Sequence, residues 1–209
     1  ATSVVAQDEL HKTYPLNPNG TVSVSNVSGY IRITSWNENR VQVDAVKRGN
    51  RDDFAQVEIR VTDSPDRLEI TTIYPRGFWR GRDHQVEVNY DLKVPRSAIL
   101  NPITSTSGNI TITDAGSRVV ARATSGDITV HGITGDANVT STSGNVSAER
   151  MGGTLTISST SGDVRISDVE ARVSAHATSG NVTAIDLRND ISANSTSGDV
   201  RIERVNGRV

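Results

Sequence analysis

The 209-residue sequence has no cysteine and a single methionine, Met151. Without cysteine there is no disulfide framework and no thiolate zinc site. Neither charge dominates: 22 basic residues face 24 acidic ones, for a net charge of −2, so nothing implies a nucleic-acid or membrane-surface partner. No apolar run approaches the ~20 residues of a membrane span, and no membrane insertion is expected. P-loop, nucleophile-elbow and His-Glu-x-x-His motifs are absent. His11, His84, His131 and His176 show no metal-ligand spacing, and the Gly-Gly-x-Gly-x-Asp nonapeptide that stacks calcium is missing. The expectation is a non-enzymatic chain with no catalytic residue, metal or cofactor.

What the sequence does have is a repeat. Thr-Ser-Gly recurs at Thr106, Thr124, Thr142, Thr160, Thr178 and Thr196, always 18 residues apart. With each unit numbered from 1 at Thr104, Arg122, Thr140, Ser158, His176 and Asn194, apolar residues fall at sites 7, 9, 12, 16 and 18. Sites 7 and 9, and 16, 18 and the following 2, are spaced by two, the period of a strand with one buried face. A helix would show a 3.6-residue stripe instead. The fold predicted is all-β: a single-stranded parallel β-solenoid, or β-helix, of six 18-residue coils over 104–209.

Each column then acquires a role. The corner glycines Gly108, Gly126, Gly144, Gly162, Gly180 and Gly198 are expected to supply a positive φ, with the preceding serines satisfying backbone groups at the bend. Site 6 alternates without exception: Asn109, Asp127, Asn145, Asp163, Asn181, Asp199. Stacked aspartates ~4.8 Å apart would repel, and interleaved asparagines double the carboxylate spacing. The alternation reads as a polar ladder that avoids self-repulsion. Where site 9 is Ile112 or Ile166, site 18 is Ala121 or Ala175; where it is Ala148, site 18 is Ile157, so the two sites share one space.

Residues 1–19 read as a leader and 20–103 as an N-terminal β region. "NGTVSVSNVSGYIRITSWNENRVQVDAVKRG" is a degenerate first coil, with Trp36 expected to cover an end of the rod. "QVEIRVTDSPDRLEITT" alternates about a Ser-Pro-Asp turn and predicts an antiparallel hairpin, and "QVEVNYDLKV" a third strand. An antiparallel β-meander or wider coils would both fit. The order of "SVSNVSGYIRITSW", "VNYDLKVP" and "TSGNITI … TSGDITV" resembles a bacterial domain-of-unknown-function family described as "putative adhesin", from about residue 9 to the end. The resemblance implies an exported or membrane-anchored β-solenoid and supplies no catalytic residues.

Three further expectations concern contacts. "YPRGFWRGRDH" sets Arg76, Phe78, Trp79, Arg80 and Arg82 in one loop, a combination suited to a partner protein or an anionic surface glycan. The Thr column suggests an ice-binding face, but Arg165 and Arg201 break the neighbouring column it would need. The last coil stops part-way through its second strand, which predicts head-to-tail stacking of copies into a filament. Val205 and Val209 would then meet the front coil of another copy at Val22, Val24, Ile31 and Ile33. The small residues of "ATSVVAQDEL", of the kind found around a signal-peptidase cut, predict an exported protein, extracellular, at the cell surface or in the periplasm.

Overall fold

The computed structural model describes residues 2–5, 9–49, 51–75 and 86–209. In chain order the front strands are β1 (Thr2–Val5), β2 (Glu9–Pro15), β3 (Thr21–Asn26), β4 (Ile31–Trp36), β5 (Arg40–Gly49), β6 (Glu58–Ser64), β7 (Arg67–Ile73) and β8 (Val86–Pro95), with a 3-10 helix at Arg51–Gln56. The repeats contribute β9 (Ile99–Ser105), β10 (Ile110–Thr113), β11 (Val119–Ala123), β12 (Ile128–Ile133), β13 (Ala137–Ser141) and β14 (Val146–Met151). They continue with β15 (Leu155–Ser159), β16 (Val164–Val169), β17 (Val173–Ala177), β18 (Val182–Leu187), β19 (Ile191–Ser195) and β20 (Val200–Val205). No helix among the described residues is long and apolar enough to cross a membrane.

Every coil gives one strand to each of two ten-stranded sheets. Within the repeats all neighbours are parallel, with residues 18 apart paired: Ile110 with Ile128, Ile128 with Val146, and so on to Val200. The predicted inward sites are buried, as at Ile112, Val130, Met151 and Leu155. This is the parallel β-solenoid that the period predicts. One hydrophobic core runs from Leu10 to Ile191, so the described parts of 9–19, 20–103 and 104–209 share a single interior.

The front half continues the same two sheets and folds in an order that differs from the chain order. One sheet runs β1-β6-β7-β3-β9, the other β2-β5-β8-β4-β10, before the regular series begins. β6 and β7 form the antiparallel hairpin expected at Ser-Pro-Asp. β8 leaves that hairpin for the opposite sheet, antiparallel to β5 and parallel to β4. The degenerate coil, β3 and β4, is therefore interior: β7 and β8 flank it on one side, β9 and β10 on the other.

Two expectations change with that nesting. Trp36 does not cover an end; it lies half-buried on the flank of the rod, its indole N–H donating to the Arg40 carbonyl at 2.8 Å. Val22, Val24, Ile31 and Ile33 are at most 1% exposed, with a strand on either side of them. They cannot form the docking face foreseen for another copy.

Candidate functional site

The described surface is organised by its two corners. At the Thr-Ser-Gly corner the backbone keeps the parallel ladder: the Ser125 amide donates to the Thr106 carbonyl at 2.8 Å, and the Ser143 amide to Thr124 at 2.8 Å. The corner glycines are not among the positive-φ residues, so the reason expected for them is wrong. Space dictates the residue. A Cβ on Gly144 would lie 2.0 Å from the carbonyl oxygen of Gly126, and one on Gly162 2.1 Å from that of Gly144. Each glycine rests on the glycine of the preceding coil.

Nor is the corner satisfied by the exposed serines. That work falls to site 2, a column of buried Ser105, Ser141 and Ser159 and half-buried Ser195, interrupted by Ala123 and Ala177. Ser159 Oγ donates to the Gly144 carbonyl at 2.8 Å and accepts the Gly162 amide at 2.9 Å; Ser195 repeats the pattern with Gly180 and Gly198. In the degenerate coil Asn26 occupies the same column, its amide donating to the Val88 carbonyl at 2.7 Å.

The site 6 ladder is a chain of hydrogen bonds between coils. Asn109 Oδ1 accepts the Asp127 amide, Asp127 Oδ1 the Asn145 amide, and the series continues to Asp199 at 2.7–3.0 Å. Asn and Asp both present an Oδ1 acceptor, so either residue can make this hydrogen bond.

The second corner carries the left-handed residues. Asp114, Arg150, Asp168, Asp186 and Arg204 have φ between 51° and 59°, and Gly132 has 68°, all at site 11. Their side chains project outward, where Arg204 holds Asp186 with Nε and Nη2 at 2.5 and 2.9 Å. That bidentate contact pushes the Asp186 carboxyl below its usual range. Arg150 contacts His131, which also lies 3.4 Å from Glu149.

On the front flank, His11 Nδ1 lies 2.9 Å from Asp44, and hydrogen bonds to Asp44 and Glu9 raise its pKa. Asp91, paired with Asp44 across the strands, accepts from the Tyr30 hydroxyl at 2.8 Å and from Arg32 at 3.0 Å. Arg40 and Lys93 approach the Trp36 ring at 5.3 and 5.8 Å, so cations already occupy it. Inside the front core, burial raises the pKa of Tyr74 and Tyr90, and the Tyr90 hydroxyl lies 2.6 Å from Thr72 Oγ1. Among the described residues no group of three His, Asp or Glu side chains could hold a metal ion. Arg76, Phe78, Trp79, Arg80 and Arg82 lie outside the described residues.

The two ends of the rod differ. Near β2 the inward side chains Leu10, Tyr14 and Leu16 are only 2%, 7% and 2% exposed. At the other end β19 and β20 are the outermost described strands of their sheets, as β1 and β2 are at the first. Val200 and Val209 there are 42% and 79% exposed, the exposed large apolar side chains among the described residues.

The sequence profile of a family described as Toastrack DUF4097 matches residues 50–208. Among solved structures, one from Bacteroides fragilis described as a "putative adhesin" is 15% identical, with a TM-score of 0.53 over 96% of this chain and 95% of that one. A "putative cell adhesion protein" from Clostridium sporogenes is 12% identical (TM-score 0.41, 93% and 99% covered). A "putative lipid binding protein" from Parabacteroides distasonis is 13% identical (TM-score 0.41, 97% and 97% covered). No curated protein matches the sequence.

Proposed function

The chain belongs to the Toastrack DUF4097 family, and from that premise we propose that it is a non-enzymatic, exported β-solenoid with a structural or interaction role at the cell surface, whose copies associate through the last coil. The observation that carries self-association is the apolar character of the last described coil: Val200 is exposed in β20, the outermost described strand of its sheet. Such an edge is a template for another strand, and exposed apolar surface beside it makes pairing favourable. The surface role is supported by the "putative adhesin" of Bacteroides fragilis, which shares this fold. What the described flanks offer a partner is hydroxyl, amide and ion-paired side chains. Sedimentation velocity tests the proposal. The wild-type chain should gain mass with concentration, and Val200→Asp should sediment as a monomer with an unchanged circular dichroism spectrum. Equal behaviour of the two proteins would remove the last coil from the contact.

A further inference from the structure

Building on that proposed self-association, we infer that two copies join tail to tail, β20 pairing antiparallel with β20 of the second copy about Ile202. Two identical strands paired antiparallel are related by a two-fold axis, so the residue that faces itself fixes the whole register. In β20, Val200 and Ile202 continue the inward columns, while Arg201 and Glu203 continue columns that lie on the outer face. Centred on Ile202, the pairing sets Arg201 opposite Glu203 of the second copy and Glu203 opposite its Arg201. Opposite charges directly across a strand pair are favourable, and like charges are not. Centring one residue earlier sets Arg201 against Arg201, and one residue later Glu203 against Glu203. Ile202 is thus the centre that matches the charges.

Within one chain Arg201 Nε already lies 2.6 Å from Glu203. The joint therefore sets Arg201 and Glu203 of the two copies in alternation, with Arg204 of each chain 3.6 Å from its own Glu203. On the inner side Ile202 meets Ile202, and the partly buried Ile202 and Val205, now at the margin of the core, gain cover from the second copy. The opposite end offers no equivalent: β2 exposes Glu9, His11, Lys12 and Thr13, and its inward residues are already covered. A two-fold joint at one end closes on itself, so the product is a dimer of twice the rod length in place of a filament.

Charge exchange tests this register. R201E and E203R each set like charges face to face twice in a dimer of that variant, and each should dimerise about tenfold or more weakly than wild type. An equimolar mixture of the two restores both opposite-charge pairs in a heterodimer, as does the double variant R201E/E203R in a homodimer. Light scattering should therefore find weak association for each single variant and recovery in the mixture and in the double variant. Unchanged thermal melts would show that the variants remain folded. Full association of the single variants, or a mixture no stronger than its components, overturns the tail-to-tail register while leaving self-association standing. A wild-type chain that is monomeric at every concentration overturns both.

Discussion

Ser141 Oγ accepts the Gly144 amide at 3.0 Å while donating to the Gly126 carbonyl at the same distance, so one buried hydroxyl ties two successive coils at the corner. Ser141 is 1% exposed, and removing its hydroxyl leaves a buried donor and a buried acceptor without it. Ser141→Ala should cost about 1–3 kcal/mol. The reverse change, Ala177→Ser, adds the missing tie and should gain roughly 0.5–1.5 kcal/mol. Urea unfolding of both variants checks the pair, and equal stability of all three proteins would contradict it.

Gly144 is required by the 2.0 Å approach to the Gly126 oxygen, since its φ is not left-handed. Gly144→Ala should therefore destabilise by about 1–3 kcal/mol, the usual range for overpacking. Thr142→Val, two residues away on an exposed position, should stay within about 0.5 kcal/mol. A tolerated alanine would show that adjacent coils have room to part.

The Asn/Asp alternation can be tested for charge, because both residues present an Oδ1 that accepts the next coil's amide. Replacing Asn145 and Asn181 by Asp keeps every acceptor and makes Asp127 to Asp199 a continuous row of carboxylates. Adjacent charges at that spacing repel by about 1 kcal/mol even in water. The double variant should melt below wild type at low salt and recover in ~1 M salt, where the screening length falls to about 3 Å. A loss independent of salt would assign the alternation to packing.

Two exposed pairs set opposite pH dependences. The pKa of His11 is raised above its ordinary 6.5 by Asp44 and then Glu9. Its contribution is complete below pH 6.5 and is lost as pH rises through the folded-state value. The advantage of wild type over Asp44→Asn should fade in that direction. Asp186 is lowered from 3.8 by Arg204, so its contribution holds above that value and disappears as pH falls through the lower one. Thermal melts of Asp44→Asn and Arg204→Gln against pH read the two signs, and a reversed trend in either would break that assignment.

The repeat region was legible because period, register and burial are one signal there: an 18-residue return of Val, Ile and Leu leaves a single way to stack. The front half was less so. Its strands alternate as visibly as the others, but no local pattern says that β8 crosses to the other sheet, or that the β3–β4 coil is enclosed by strands later in the chain. The corner chemistry was misread in two places. The glycines looked like turn residues because close approach between coils is a tertiary fact. The serines that tie the corner were overlooked because Ala123 and Ala177 interrupt their column beside the conspicuous Thr-Ser-Gly. The left-handed bend at site 11 was hidden by its mixture of Asp, Arg and Gly.

Small-angle X-ray scattering of the 209-residue chain across a concentration series tests the central claim most directly, since it reads shape and mass together. Ten strands per sheet at ~4.8 Å make one rod about 45–50 Å long. The account predicts that, on concentration, the mass rises from 22.4 kDa to twice that value while the longest dimension roughly doubles and the cross-section stays constant. A mass fixed at 22.4 kDa, or a dimer that widens without lengthening, would contradict it.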